Sequence, residues 1–196
     1  MAGPRSHVRP AAAPALVATV VVALILSGGC GASSPAAGPA KHACGSSTAA
    51  ATARTIDIYV AVLRYQMAQP ESRGRQVRVL YVVEHAVASP RSTSTASFTA
   101  PVRQCLASVR FSGLPPIRLV TGVDDPRVPK AGQGPIPIVA DGRVVQLESV
   151  PLEGDVLEVA ASSSGGGGFD AFGGIYVVSN SGGSWRVVST RQSWIA

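Results

Sequence analysis

The sequence is poor in aromatic and charged residues and has a single segment apolar enough to compare with a membrane span. Phe, Trp and Tyr make up 5% of the 196 residues, and Asp, Glu, Lys and Arg make up 14%. Because 46% of the residues are hydrophobic, the chain can still bury a core, which excludes a mostly disordered protein. Glycine and proline follow no three-residue period, which excludes a collagen. The single apolar run excludes a multi-span membrane protein.

Motifs of catalysis and of phosphate or metal binding are also missing. The sequence has no GxSxG, no SxxK, no CxxC pair and no Cys/His cluster. The glycine-rich segment 164–174 fits neither GxGxxG nor GxxxxGK, so we interpret it as a hairpin loop, with a ligand flap as the alternative. Asp124 and Asp125 lack a third oxygen ligand at EF-hand spacing. We therefore predict no metal, no cofactor and no enzymatic activity.

Histidine is scarce, and two of the three histidines, His42 and His85, follow the first 40 residues and are candidates for a catalytic base. His42 lies in a segment without rigid support, whereas His85 follows Glu84 at the end of a predicted strand. A catalytic base needs a nucleophile and an orienting acid within hydrogen-bond distance. We interpret His85 as a surface or edge residue. The alternative is a small-ligand binding or hydrolytic domain that uses a pocket near His85.

The first 29 residues have the organisation of a secretory signal peptide. Residues 1–10 carry Arg5 and Arg9 and no acid, and residues 11–26 are uncharged and rich in Ala, Val, Leu and Ile. A basic region, a short apolar core and small residues before a cleavage site define such peptides. A membrane span needs about 20 apolar residues, which this run does not reach.

The end of this peptide resembles a bacterial lipobox of the actinobacterial type. Gly28, Gly29 and Cys30 match the pattern. Ser27 occupies the position where the pattern has leucine, and Leu26 lies one residue earlier. The resemblance implies cleavage before Cys30 and acylation of its thiol, for example by palmitate. It also implies anchoring at the extracytoplasmic face of the cell membrane. The alternative is a secreted protein without lipid.

The sequence after the signal peptide divides into a tether and one domain. Residues 30–43 are predicted to be Cys30 and a flexible tether, because residues 31–40 are all small residues or prolines. Residues 44–196 form the predicted domain. Its two cysteines, Cys44 and Cys105, would lie in an oxidising compartment, so we predict a disulfide between them. Two isolated cysteines are the alternative.

Positive charge is concentrated in the middle of the chain. Residues 54–130 hold eleven bases and five acids, whereas residues 131–196 hold three bases and six acids. The bases face either solvent or anionic material outside the cell. The expected partners are the membrane, through the lipid anchor, and an anionic envelope polymer or another envelope protein. Nucleic acid is excluded because an exported chain without interleaved aromatics is a poor candidate.

The hydrophobic pattern of the first half predicts two helices and two strands. The helices are expected over 46–69 and 99–110, and the strands over 76–84 and 117–121, with a Ser/Thr loop at 88–96. The residues expected to face the core are Ile56, Tyr59, Val60, Leu63 and Met67 in the first helix and Val102, Cys105, Leu106 and Val109 in the second.

The pattern of the last third predicts an antiparallel meander. Asp141-Gly142 indicates a hairpin between 136–140 and 143–147, and further strands are expected over 156–161, 173–179 and 184–190. The predicted class is α+β, with two helices packed on a mainly antiparallel, C-terminal meander sheet. The element order and the Trp185-Arg186-Val187-Val188 ending are weakly similar to cystatin and NTF2-like domains. That resemblance concerns the fold and not the function.

Taken with the signal peptide, these features predict a membrane-anchored extracytoplasmic lipoprotein. Its domain is expected to be a non-enzymatic binding or envelope-interaction module.

Overall fold

The computed structural model describes residue 44 and residues 48–69, 77–85, 97–132, 138–165 and 171–195. All of these belong to one compact unit, Ala37–Ala196. The described elements are α1 (Ala50–Ala68), β1 (Val79–Val83), α2 (Ala100–Ser108), β2 (Ile117–Val120), β3 (Lys130–Ala131), β4 (Ile138–Val139), β5 (Gly142–Leu147), β6 (Val156–Ser164), β7 (Ala171–Ser181) and β8 (Ser184–Ile195).

Both helices form where the apolar spacing predicts them. α1 begins after Ala49, which makes no side-chain cap hydrogen bond. Residues 46 and 47 of the predicted helix lie outside the described residues. Four of the five residues predicted to face the core are buried in α1, and Met67 is half-buried. In α2, Val102, Cys105 and Leu106 are buried as predicted. The Ser/Thr loop predicted at 88–96 also lies outside the described residues.

Six strands form one mixed sheet in the order β2-β1-β5-β6-β7-β8. Strand β1 lies parallel to both β2 and β5, and α2 connects it to β2. Strands β5 to β8 pair antiparallel with their sequence neighbours and make a four-stranded meander, as predicted for the strands from 143 onward. The predicted class, α+β with a mainly antiparallel C-terminal sheet, is confirmed.

The hairpin predicted at Asp141-Gly142 is wrong. Strand β4 pairs with β3 in a separate two-stranded sheet, and β5 pairs with β1 and β6. A type I′ turn requires positive φ at both central residues, and neither Asp141 nor Gly142 has one. Gly142 instead lies so close to β1 that a Cβ there would overlap the carbonyl oxygen of Val79. The glycine allows β5 to enter the sheet beside β1.

The hairpin predicted between the last two strands is confirmed and longer than expected. β7 and β8 join at Gly182 and Gly183, whose φ values of 61° and 78° are those of a tight hairpin turn. The pairing shifts register twice along β8, and Gln192 has a φ of 50° at one of these irregularities. Bulges of this kind twist an edge strand and hinder its pairing with other chains.

The glycine-rich segment 164–174 contains more strand than a hairpin loop would. Gly173 and Gly174 lie within β7, and residues 166–170 lie outside the described residues. The Trp194 ring packs on Gly173, where an added Cβ would lie 2.8 Å from its Cζ2 atom. The absence of a side chain therefore makes room for the indole on the face of the sheet opposite the helices.

The sheet carries one core on each face. The larger core packs α1 and α2 against alternate residues of the sheet, including Leu80, Val145 and Tyr176. The smaller core packs Tyr81 and Val144 against the segment that follows β2, through Val128 and Val139. Consequently β1 and β5 are covered on both sides, which explains why every residue of β1 is buried.

Candidate functional site

The two cysteines of the domain are joined. Cys44 and Cys105 form a disulfide, with Cα atoms 5.4 Å apart. The Thr48 hydroxyl donates to the Cys44 carbonyl over 2.8 Å, which links the bridge to the start of α1. The disulfide therefore fixes the N-terminal side of the domain to α2. The predicted lipidation site, Cys30, lies outside the described residues and stays a prediction.

His85 lies at the end of β1 and contacts a serine. It forms an isolated bridge with Ser97, and its Nδ1 atom lies 2.8 Å from Ser97 Oγ. Both residues are exposed. The neighbouring carboxylate, that of Glu84, lies 3.6 Å from Arg103 Nη1 and 3.8 Å from Arg127 Nη2. The structure thus brings His85 to a hydroxyl group at the protein surface and places the adjacent acid between two arginines.

A buried carboxylate organises the loop after β2. Asp125 accepts hydrogen bonds from the backbone N–H and hydroxyl of Thr121 at 2.8 and 3.0 Å. Arg127 donates to it from its backbone N–H, Nε and Nη2 at 2.9, 2.9 and 2.6 Å. The Arg127 guanidinium, followed by these backbone donors, holds the pKa of Asp125 far below its usual range. The carboxylate is therefore a fixed structural anion.

Its neighbour Asp124 is paired separately, with Lys130 Nζ 3.0 Å from its Oδ1. The two aspartates thus take different cations and do not share a ligand position. No group of three or more His, Cys, Asp or Glu side chains that could hold a metal ion occurs within the described parts of the chain.

A second polar group lies in the large core, between the sheet and the helices. Arg143 is fully buried on β5, donates from Nη1 to Ser163 Oγ over 3.3 Å, and has its guanidinium carbon 4.8 Å from the centre of the Phe172 ring. In the last turns of α1, Gln66 donates from Nε2 to the Tyr176 hydroxyl over 3.2 Å. Both hydrogen bonds are buried: that of Gln66 joins α1 to β7, and that of Arg143 joins the neighbouring strands β5 and β6.

Four arginines lie at the end of the sheet where β1 and β2 begin. Arg78 comes directly before β1, and its backbone N–H donates to the Asp141 carbonyl over 2.9 Å. Arg118 lies in β2 beside Tyr81 of β1. Both arginines are exposed. We call this end of the sheet, which also includes Arg64 and Arg110, the basic end.

Arg64 and Arg110 reach the basic end from the helical layer. Arg64, on α1, donates from Nε and Nη2 to the Ser112 carbonyl over 3.0 and 2.9 Å. Exposed Arg110 follows the end of α2, in the connection to β2 that also contains Ser112. The connection is fixed to β1, because the Leu80 N–H donates to the Pro116 carbonyl over 2.9 Å.

The acid at the basic end, among the described residues, is Asp141. Its Oδ1 accepts a hydrogen bond of 2.9 Å from the buried Tyr81 hydroxyl. Burial, followed by this carboxylate, raises the pKa of Tyr81 to about 12. Among the described residues, the side chains of Arg64, Arg110 and Arg118 therefore lie at the same end as one carboxylate, which is already hydrogen-bonded.

Sequence reasoning located the positive charge but not this site. The excess of bases over 54–130 was visible, yet the four arginines come from α1, the start of β1, the end of α2 and β2. Only the parallel pairing of β1 with β2 brings them to one end. The same holds for Asp141, which the sequence placed in a hairpin turn.

Trp185 and Trp194 have different surroundings. Trp185 packs against the large core, with the guanidinium carbon of Arg54 5.1 Å from its ring centre, whereas Trp194 is 45% exposed. Trp185 thus helps to close the core, and Trp194 is a surface residue. Among the described residues, no helix is both long and apolar enough to cross a membrane.

No protein-family model, curated protein or solved structure matches this chain. The resemblances drawn from the sequence, to lipoprotein signal peptides and to cystatin or NTF2-like domains, stay predictions.

Proposed function

We propose that this protein is a lipoprotein anchored through Cys30 at the extracytoplasmic face of the cell membrane. Its domain would act as a non-enzymatic binding module that contacts material of the cell envelope. The observation that carries the proposal is the disulfide between Cys44 and Cys105. Disulfides persist in oxidising compartments and are rare in the cytosol, so the bridge supports export.

The binding role is supported by the way in which the polar side chains are used. Asp125 and Glu84 are engaged by arginines, and the buried polar groups of Gln66 and Arg143 bond within the core. At the basic end, Arg110 and Arg118 are exposed at the protein surface. A fixed positive surface suits the recognition of anionic groups.

The anchor is tested by detergent-phase partitioning and by mass spectrometry of the mature N-terminus. The wild type is expected to begin at an acylated Cys30. It should enter the detergent phase, because a lipoprotein cysteine that carries two or more acyl chains anchors stably, whereas one chain binds only marginally. Cys30→Ala should stay in the aqueous phase. The double variant Cys44→Ala/Cys105→Ala is the matched control, because it removes the two cysteines of the disulfide and keeps the predicted acylation site, Cys30. A wild type that is aqueous, or that begins elsewhere, contradicts the proposal.

The imperfect lipobox offers a second variant in the same assay. Ser27→Leu places leucine at the position where the pattern has it, so we expect the acylated fraction to rise or to stay complete. A fall in acylation would show that Cys30 is not processed as a lipobox cysteine.

The contact of 2.8 Å between His85 Nδ1 and Ser97 Oγ favours a second candidate, a hydrolytic site. A histidine that accepts the proton of a serine can activate it as a nucleophile. Hydrolysis of a p-nitrophenyl ester that is lost in both His85→Ala and Ser97→Ala, and kept in Ser108→Ala, would support this candidate. Equal rates in all four proteins would reject it.

A further inference from the structure

We propose that the basic end lies against anionic phospholipid headgroups of the membrane that holds the Cys30 lipid. The inference rests on the proposed function, because the anchor supplies the membrane. It adds the surface of the domain that faces the membrane and the chemistry that this surface recognises.

The first argument is the charge at the two ends of β1 and β2. Among the described residues of the basic end, Arg64, Arg110 and Arg118 lie at the same end as one carboxylate, that of Asp141. At the opposite end, each described acid has a basic partner within 4 Å: the acids are Glu84, Asp124 and Asp125, and the bases are Arg103, Arg127 and Lys130. For the described residues of these two ends, the excess of positive charge therefore lies at the basic end.

The second argument is where the tether joins the domain. The bridge to Cys105 places the end of the tether, Cys44, beside α2. Arg110 follows Cys105 by five residues, so their Cα atoms are at most about 18 Å apart. The anchor thus enters the domain on the side of the helix that leads into the basic end.

The third argument is the reach of the tether. Cys30 and Cys44 are 14 residues apart, which allows at most about 50 Å when extended and about 20 Å on average for a flexible chain. Both lengths let the basic end touch the membrane surface. Tethering also gives an effective concentration in the millimolar range, so a weak electrostatic contact is enough to orient the domain.

The orientation follows from these arguments. With the starts of β1 and β2 on the membrane, His85 and Asp125 lie at the end that points away from it. The contact consists of guanidinium groups and phosphate oxygens, so salt should weaken it, because the Debye length at physiological ionic strength is about 8 Å.

The test uses the exported chain without its lipid, residues 30–196 with Cys30→Ala, so that binding reports on the domain alone. Vesicles of phosphatidylglycerol and phosphatidylcholine in a 3:7 ratio are compared with pure phosphatidylcholine in a flotation assay. We expect binding to the anionic vesicles that falls at least tenfold between about 50 and 500 mM salt, and none to the neutral vesicles.

Charge reversal then locates the surface. Arg110→Glu and Arg118→Glu should each lower the bound fraction about fivefold. Arg186→Glu, an exposed position on β8 with the same change in net charge, should leave it within twofold. Thermal melts of all variants establish that each one is folded.

The outcomes separate this inference from the anchor. Equal binding to both vesicles, or equal loss in Arg186→Glu, overturns the basic end as the membrane surface, whether or not Cys30 is acylated. Binding to a soluble polyphosphate without binding to the anionic vesicles also overturns it, because the partner would then be an envelope polymer. A wild type without acyl chains contradicts the proposed function and leaves the vesicle result unaffected.

Discussion

The hydroxyl of Tyr81 donates a hydrogen bond of 2.9 Å to the carboxylate of Asp141, across the contact between β1 and the start of β5. Tyr81 is fully buried in the smaller core, and Asp141 lies at the rim of the basic end. One interaction therefore fixes where β5 enters the sheet and holds a carboxylate beside the arginines.

The first prediction concerns the ionisation of Tyr81. Burial raises its pKa to about 12, with Asp141 as the next cause, so Asp141→Asn should lower this pKa while leaving it above 10. The contribution of the raised Tyr81 pKa to the free energy of unfolding is complete below pH 10. It is lost as the pH rises toward 12, because the phenol of the unfolded chain ionises first. Phenolate absorbance during alkaline titration measures it, with Tyr81→Phe assigning the signal. An unchanged pKa in Asp141→Asn would contradict this account.

The second prediction concerns Asp125 and acid unfolding. The pKa of Asp125 is lowered by Arg127, so its contribution is present at neutral pH and declines below about pH 4, where the unfolded carboxyl takes up a proton. Asp125→Asn should therefore reduce resistance to urea clearly at pH 7 and by a smaller amount at pH 3, where part of the contribution has been lost. Asp124→Asn, at an exposed carboxylate, is the control. If the difference in urea resistance between the wild type and Asp125→Asn were larger at pH 3 than at pH 7, the predicted direction of the pH dependence would be wrong.

The third prediction concerns the disulfide. Replacing Cys44 and Cys105 by serine should lower the free energy of unfolding by about 2–5 kcal/mol, because the bridge closes a long loop of the unfolded chain. Non-reducing mass spectrometry of wild-type peptides should find the two cysteines joined. Free thiols on both residues would rule the pairing out.

The fourth prediction concerns the entry of β5 into the sheet. Gly142→Ala should lower the free energy of unfolding by about 2–3 kcal/mol, since the added Cβ would overlap the Val79 carbonyl oxygen and β5 would have to shift. Gly122→Ala adds the same atom where nothing lies within 4 Å, and should change stability by less than about 0.5 kcal/mol. Urea unfolding measures the change in the free energy of unfolding for both variants, and equal changes would contradict the prediction.

Local patterns of the sequence determined the elements of this protein. The apolar spacing in α1 and α2 and the β-rich runs of β6 to β8 each reflect residues close in the chain, so both helices and the final meander were predictable. The pairing of Cys44 with Cys105 was predictable as well, because the predicted export and the predicted acylation of Cys30 leave these two cysteines as one pair.

The tertiary structure decided which strands meet and which side chains share a surface. Asp141-Gly142 has the composition of a hairpin turn, but β5 pairs with β1, which is about 60 residues earlier in the chain and parallel to it. Local composition cannot encode such a pairing, because it depends on the two cores that cover β1 and β5. The basic end exists for the same reason: its arginines are distant in sequence and meet only where β1 and β2 begin side by side.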